Sequence, residues 1–204
     1  CINGWERPNY FAKKNFIDKK SRSFKRGKWW KYSKEEAESI RNNVGLIDNT
    51  AFTKHLITGK DATDFLDWFT CNKLPNISKI NLTYALTEKG TIRSEYTIVR
   101  IDKEKYYLIS AGAWQKYDSD YLEKSIEEKK NTFKDVNFFD ITSMRGVFSI
   151  AGPNSRNFLK KVIESSNNTD LLSNQNFPWL SMKEIEIGMC PVLAIRVSYT
   201  GELG

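Results

Sequence analysis

Two carboxylates in this 204-residue chain stand apart from its ordinary acidic residues by their setting. Glu95 lies inside Ile92-Arg93-Ser94-Glu95-Tyr96-Thr97-Ile98-Val99, a strand-like run shortly after Gly90. Period-two alternation puts Arg93, Glu95, Thr97 and Val99 on one face and Ile92, Ser94, Tyr96 and Ile98 on the other. A charge on a mostly hydrophobic strand needs a partner, water or a ligand. A cross-strand ion pair or a solvated face meets that need as well as a substrate does. Glu202 sits between Gly201 and Gly204 just past a strand end, where small neighbours let a ligand or another backbone come close. There it can accept paired N–H donors from an amidine-like heterocycle edge, or face solvent in a turn.

Other chemistries lack parts. Cys1, Cys71 and Cys190 stand at unrelated spacings with no CxxC and a single histidine, too few ligands for a zinc site, so no metal is expected. The sparse, odd set predicts a reducing compartment and buried structural thiols. His55, at the start of a strand beside Leu56-Ile57, reads as a structural histidine, and without a nucleophile–His pairing hydrolytic triads drop out.

The formal charge of +7 is concentrated at one end. Residues 1–31 hold ten Lys/Arg against two acidic residues, whereas 32–204 hold twenty-two against twenty-three. The excess therefore describes a terminal segment, not the folded body. Trp29 and Trp30 behind Lys25, Arg26 and Lys28 suit either nucleic-acid stacking or a basic connector whose aromatics dock on a neighbouring domain.

The elements that must position the carboxylates follow from periodicity. Ser33 and Glu36 form a capping-box pattern for a helix over 34–43 that stops at Gly45. Leu56-Ile57-Thr58-Gly59 reads as a strand, after which Asp61 caps a helix presenting Phe65, Leu66 and Phe69. Strands over 82–86, 92–100 and 106–110, joined by short turns, make an antiparallel meander. A helix over 112–130 buries Trp114, Tyr117, Tyr121 and Ile126. Val147–Ile150 is a strand leading through Gly152 and Asn154 into a helix with Phe158, Leu159 and Val162, and strands over 183–187 and 192–198 close the chain. Ile57-x-Gly59-x-Asp61-x-x-x-Phe65-Leu66 recurs as Ile150-x-Gly152-x-Asn154-x-x-x-Phe158-Leu159, 93 residues on. That is either an internal duplication or the ordinary preference of tight strand–helix turns for Gly and Asp/Asn. The fold class is α+β, antiparallel sheets with flanking helices.

Five fragments carry a resemblance: Gly4-Trp5-Glu6-Arg7-Pro8-Asn9-Tyr10-Phe11, Val44-Gly45-Leu46-Ile47-Asp48, Leu82-Thr83-Tyr84-Ala85-Leu86-Thr87-Glu88-Lys89-Gly90, Ile150-Ala151-Gly152-Pro153-Asn154 and Val197-Ser198-Tyr199-Thr200-Gly201-Glu202-Leu203-Gly204. In this order the chain resembles the folate-binding half of the dimethylglycine/sarcosine dehydrogenase family, itself similar to the aminomethyltransferase (T-protein) of the glycine cleavage system. The opening Gly-Trp-Glu-Arg-Pro belongs to the dehydrogenase branch. The Lys-Gly-Cys-Tyr-x-Gly-Gln-Glu motif of folate-binding iron–sulfur assembly relatives is absent.

The resemblance implies a truncated T-protein-like fold: residues 1–31 a basic connector from an upstream flavin-oxidase half, residues 32–204 a C-terminally incomplete folate-binding domain. It implies tetrahydrofolate as cofactor, with FAD only in the upstream half. A one-carbon unit from a methylated amine, dimethylglycine or sarcosine, would be captured as 5,10-methylenetetrahydrofolate. The family's acidic residue near folate N5/N10 falls on Glu95, with Thr91 replacing the second glycine of its motif and Glu the commoner Asp. Glu202 matches the pteridine-binding glutamate, and Tyr199 supplies aromatic surface. Neither nucleic acid nor a membrane is an expected partner; the flavin-oxidase half is. The isolated fragment is expected to be inactive, in the cytoplasm or, for a eukaryotic source, the mitochondrial matrix. Competing expectations are a stand-alone aminomethyltransferase and a non-catalytic folate-sensing or nucleic-acid-binding module.

Overall fold

The computed structural model describes residues 6, 8–16, 24–163 and 170–198. Its centre is a five-stranded antiparallel sheet in the order β3-β4-β5-β2-β6. The strands are β2 (Thr53–Thr58), β3 (Ile80–Leu86), β4 (Ile92–Asp102), β5 (Lys105–Ser110) and β6 (Asn137–Asp140). The predicted meander is thus β3-β4-β5, with β2 added beside β5. Two further antiparallel pairs join β1 (Gly45–Asp48) to β7 (Phe148–Ala151) and β8 (Ser181–Ile187) to β9 (Cys190–Arg196). The short strands β1 and β6 carry no clear alternation of their own and are not predicted as strands.

One face of the large sheet is covered by α2 (Ala62–Phe69) and α3 (Gln115–Lys129). Ile57, Tyr96, Ile98, Tyr106 and Leu108 from the strands are fully buried against Phe65, Leu66 and Leu122 from the helices. At about 1.5–3 kcal/mol per large apolar side chain, this cluster is the main source of stability. On the opposite face Ile80 and Val99 bury against Met182 of β8, with Leu193 and Ile195 of β9 packed alongside.

α1 (Trp30–Asn42) begins earlier than its capping-box pattern predicts, and no side-chain cap forms. A turn ahead of it starts the helix instead: Trp30 N–H donates to Gly27 O, and Tyr32 and Ser33 N–H donate to Trp29 O. Nor does Asp61 cap α2 through its side chain. Its carboxylate accepts the Lys134 and Asp135 N–H groups, at 2.8 and 3.0 Å, and so fixes the chain beyond α3.

The α3 stripe is only in part the expected one: Tyr121 and Ile126 pack against the core. Asp118, Leu122 and Ser125 are buried, whereas Trp114, in a 3-10 turn before the helix, and Tyr117 are exposed. Apolar spacing alone could not find a stripe in which two of the three buried residues are polar. The cysteines differ as well: Cys71 and Cys190 are exposed, Cys71 beyond the end of α2 and Cys190 in the β8–β9 turn region.

The repeated strand–Gly–helix pattern extends to a repeated structure. Gly59 and Gly152 take φ of 125° and 117°, and at each an added Cβ would strike a backbone carbonyl, of Asp135 and of Asn43 and Ile40 respectively. Asp61 and Asn154 have matching backbone angles, and their N–H groups donate to Asp135 O and Asn43 O at 3.1 and 2.9 Å. Each is followed by an eight-residue helix, α2 and α4 (Ser155–Val162).

The leading strands are exchanged between the two copies. β1 pairs with β7 of the second copy, and β6, which leads into that copy, pairs back onto β2 of the first. The corners after them match in detail. Thr50 N–H donates to Asp48 Oδ1 and Thr142 N–H to Asp140 Oδ1, both at 2.9 Å. Thr50 Oγ1 accepts Val147 N–H at 3.1 Å as Thr142 Oγ1 accepts Lys54 N–H at 3.0 Å. Where the hairpins meet, Ile80 N–H donates to Leu180 O and Met182 N–H to Ser78 O, a reciprocal pair, and Ser78 and Leu180 both have positive φ, 62° and 56°.

Candidate functional site

Glu95 lies on β4 directly opposite Tyr84 of β3. The carboxylate is exposed, and Tyr84 is half-buried beside it. Desolvation, then the negative charge of nearby Glu95, push the Tyr84 phenol above its ordinary pKa. Neither an ion pair nor a helix covers Glu95 among the described residues; its cross-strand neighbour is Tyr84. Along the same face Thr97 and then Val99 lead to the apolar cluster at the base of the β8–β9 hairpin, roughly 13 Å from Glu95 at strand rise.

Arg93 does not share that face. Ala85 pairs with Ser94 and Leu86 with Ile92, so Arg93 is the extra residue of a β-bulge. Its guanidinium lies over Tyr121 and Tyr117 of α3, 3.9 and 4.5 Å from the ring centres. A bulge breaks strict alternation, which is why the sequence pattern misplaces this side chain and leaves Glu95 without a cation beside it.

Behind Glu95 the strand is anchored by a residue that sequence reasoning missed. Asp118, buried on α3, accepts hydrogen bonds from Ser94 Oγ and, at 2.6 Å, from Ser110 Oγ, tying the helix to β4 and β5. A buried carboxylate costs several kcal/mol unless it is satisfied in this way. The signal available was two serines at inward positions of adjacent strands.

Lys54 was also missed. It is 4% exposed, its Nζ donates to Thr50 O and Phe52 O at 2.7 Å each, and burial holds its pKa below the ordinary lysine value. His55 is fully buried on the helix side, with Nε2 3.0 Å from Ser119 Oγ, and burial lowers its pKa. It serves the packing, away from Glu95.

An open depression of about 720 Å³ lies elsewhere, at the start of α2 and the β4–β5 turn, lined by Lys60, Thr63, Arg100 and Lys103. Arg100 is already engaged there with Asp102 O, Lys103 O and Thr63 Oγ1, so its charge is largely spent on the loop. In the basic segment Trp29 stacks on Tyr10 at 6.3 Å and Arg26 sits 4.1 Å over Trp30. These aromatics are occupied by one another and by their own cation.

The hairpin β8–β9 delivers the chain to the face that carries Glu95. Arg196, the last residue of β9, accepts Leu180 N–H at 3.0 Å beside the Ser78–Arg100 corner of the large sheet. Tyr199 and Glu202 follow and lie outside the described residues.

Comparison with known proteins agrees with this architecture. Residues 1–204 match the GCVT N-terminal domain family. The chain is 33% identical over 201 residues to rat mitochondrial dimethylglycine dehydrogenase, spanning 98% of this chain and 22% of that protein. It is 29% identical over 181 residues to a probable aminomethyltransferase of Thermococcus kodakarensis, spanning 86% of this chain and 43% of that one. The crystal structure of the glycine cleavage system aminomethyltransferase T from Bartonella henselae superposes with a TM-score of 0.65 at 20% identity, covering 82% of this chain and 42% of that one, so the fold is shared. The chain spans about a fifth of the dehydrogenase and under half of the aminomethyltransferases. It belongs to the GCVT N-terminal domain family.

Proposed function

We propose that this chain is the tetrahydrofolate-binding part of a flavin-linked enzyme that oxidatively demethylates dimethylglycine or sarcosine. Similarity to the dehydrogenase runs over 98% of the chain, against 86% for the aminomethyltransferase, which favours the flavin-linked branch over a stand-alone aminomethyltransferase. The observation that carries the reading is Glu95, an exposed carboxylate on β4, opposite Tyr84 and backed by the Asp118 anchor.

The residues present fit a reduced pterin. Exposed Leu82 and half-buried Tyr84 offer apolar and aromatic surface next to an acceptor-only carboxylate, the combination that a flat heterocycle with N–H groups requires. Tetrahydrofolate, when bound, supplies the amine nitrogens that take up the one-carbon unit as 5,10-methylenetetrahydrofolate. Glu95 would receive the amine proton released as that bond forms, and its charge would favour a cationic one-carbon species nearby. Tyr84 would offer its ring beside the carboxylate, Glu202 would accept the aminopyrimidinone N–H pair, and Tyr199 would cover the ring. FAD belongs in an upstream oxidase half, and the setting is the cytoplasm or, in a eukaryote, the mitochondrial matrix.

The test is titration of the full protein that carries this chain with tetrahydrofolate, repeated with Glu95→Ala and Glu202→Ala. Glu95→Ala should slow one-carbon capture by about 10²–10⁴ with little change in affinity, the range for loss of a positioned proton acceptor. Glu202→Ala should weaken binding about tenfold or more. If neither variant alters capture or affinity, the assignment fails.

A further inference from the structure

The cation at the β4 bulge stands without an acid. The Arg93 guanidinium lies over the rings of Tyr121 and Tyr117, 3.9 and 4.5 Å from their centres. Its Nε is buried with no hydrogen-bond partner, and among the described residues no carboxylate pairs with it. Asp118, next to Tyr117 on α3, is already committed to the Ser94 and Ser110 hydroxyls. A buried donor left in this state calls for an explanation. The side chain is half-buried with Nε inward, which leaves the Nη donors as its outward edge.

Beside that edge is aromatic surface that the core does not use. Trp114 is 55% exposed and Tyr117 41%, and their rings meet edge to face at 5.3 Å. Tyr117 therefore touches both the guanidinium and the indole. A clasp between helix and strand accounts for Tyr121, which packs on the core and donates to Leu86 O at 3.4 Å. It does not account for Trp114, which leaves more than half of its surface in water. Stacking on tyrosine holds a guanidinium flat, so that its N–H groups are aimed in advance at a carboxylate. An exposed indole is the side-chain surface that best attracts a methylated ammonium. A carboxylate and a methylated cation a few bonds apart are the two ends of an N-methylated amino acid.

We propose that Arg93, Tyr117 and Trp114 form a binding site for an N-methylated glycine, its carboxylate accepting from the Arg93 Nη groups and its methylated ammonium on the indole of Trp114. The carboxylate then lies between two positive groups and offsets their repulsion. The site is on the helix side of the large sheet, away from the face that carries Glu95, so it holds the ligand and performs no chemistry on it. The choice of ligand rests on the demethylase reading above.

The test is fluorine NMR of the full protein that carries this chain, labelled with 5-fluorotryptophan and titrated anaerobically with dimethylglycine while flavin absorbance is followed. The residue-114 resonance, identified by its loss in Trp114→Phe, should shift saturably with a Kd on the order of 1–10 mM, as two exposed contacts allow. Acetate and tetramethylammonium, which each carry one end only, should bind at least about tenfold more weakly. Arg93→Gln should weaken the dimethylglycine titration about tenfold or more, whereas Lys116→Gln, a loss of neighbouring charge alone, should change it by less than about twofold. A residue-114 signal that does not move while the flavin is reduced overturns this site and leaves the demethylase reading standing. A signal that moves without flavin reduction supports the site and overturns that reading. Equal weakening by Arg93→Gln and Lys116→Gln, or acetate binding as tightly as dimethylglycine, overturns the assignment of the two ends.

Discussion

The first and second copies of the folding unit share a backbone plan and differ in what they carry. Glycines at matched positive-φ turns and aspartates that accept the N–H of the threonine two residues on recur in both, and the reciprocal Ile80–Leu180 and Met182–Ser78 hydrogen bonds relate the two. The register positions of Tyr84 and Glu95 do not recur: in the second hairpin the equivalent opposed pair is Glu186 and Pro191. What the two copies keep is what the fold requires. What only one of them has, a carboxylate set opposite a tyrosine on a central strand, is where chemistry is to be sought.

The sharpest way to separate the copies is at their matched phenylalanines. Phe65→Ala should destabilise the protein by about 3–5 kcal/mol, the range for emptying a packed aromatic site. Phe158→Ala in the 204-residue chain should cost less than about 1 kcal/mol, because the side chain is already half in water. Urea unfolding of both variants measures the difference; equal losses would mean that the second copy is as well packed as the first.

Next in size are the matched glycines, where the copies should agree. Gly59→Ala and Gly152→Ala should each cost about 3 kcal/mol, since each sets a Cβ against a backbone carbonyl at a strained φ. A mild effect at Gly152 alone, in the same unfolding measurement, would show that the second turn can relax where the first cannot.

The smallest effect is the pH response of His55, which has Phe148 as its counterpart and so exists in one copy only. Burial depresses its folded pKa, so the unfolded chain takes up a proton first, near pH 6.5. The stability tied to the neutral ring is complete above that pH and is lost as the pH falls toward the folded value. His55→Gln should flatten this part of the profile between pH 7 and 5, and the difference from wild type should be no steeper than about 1.4 kcal/mol per pH unit, that of one proton. A slope unchanged by the substitution would assign the pH response to the carboxylates.

Much of this was legible in the residues. Alternation over 92–100 and short turns located the meander, and two glycine–Asx turns announced the repeat. The rest depended on contacts between distant segments. β1 and β6 are four residues each and exist as strands because the opposite copy offers them an edge. Of the α3 stripe, Tyr121 and Ile126 pack on the core as expected, but Asp118 and Ser125 are buried by hydrogen bonding and packing, which apolar periodicity does not register. Arg93 was placed wrongly because one bulge residue shifts every alternation count before it. Glu95 stands on an exposed face, one of the two settings its strand allowed, and the register sets Tyr84 opposite it where an ion pair was the other.

The exchange of β1 and β6 has a topological cost. Because each copy lends its leading strand to the other, no single cut in the backbone releases one copy with its own sheet complete. A gene fragment encoding either half alone would leave an unmated edge on what it kept and carry away a strand its partner needs. The duplicated plan therefore behaves as one indivisible object, and evolution can elaborate one copy chemically only while the other goes on holding it together.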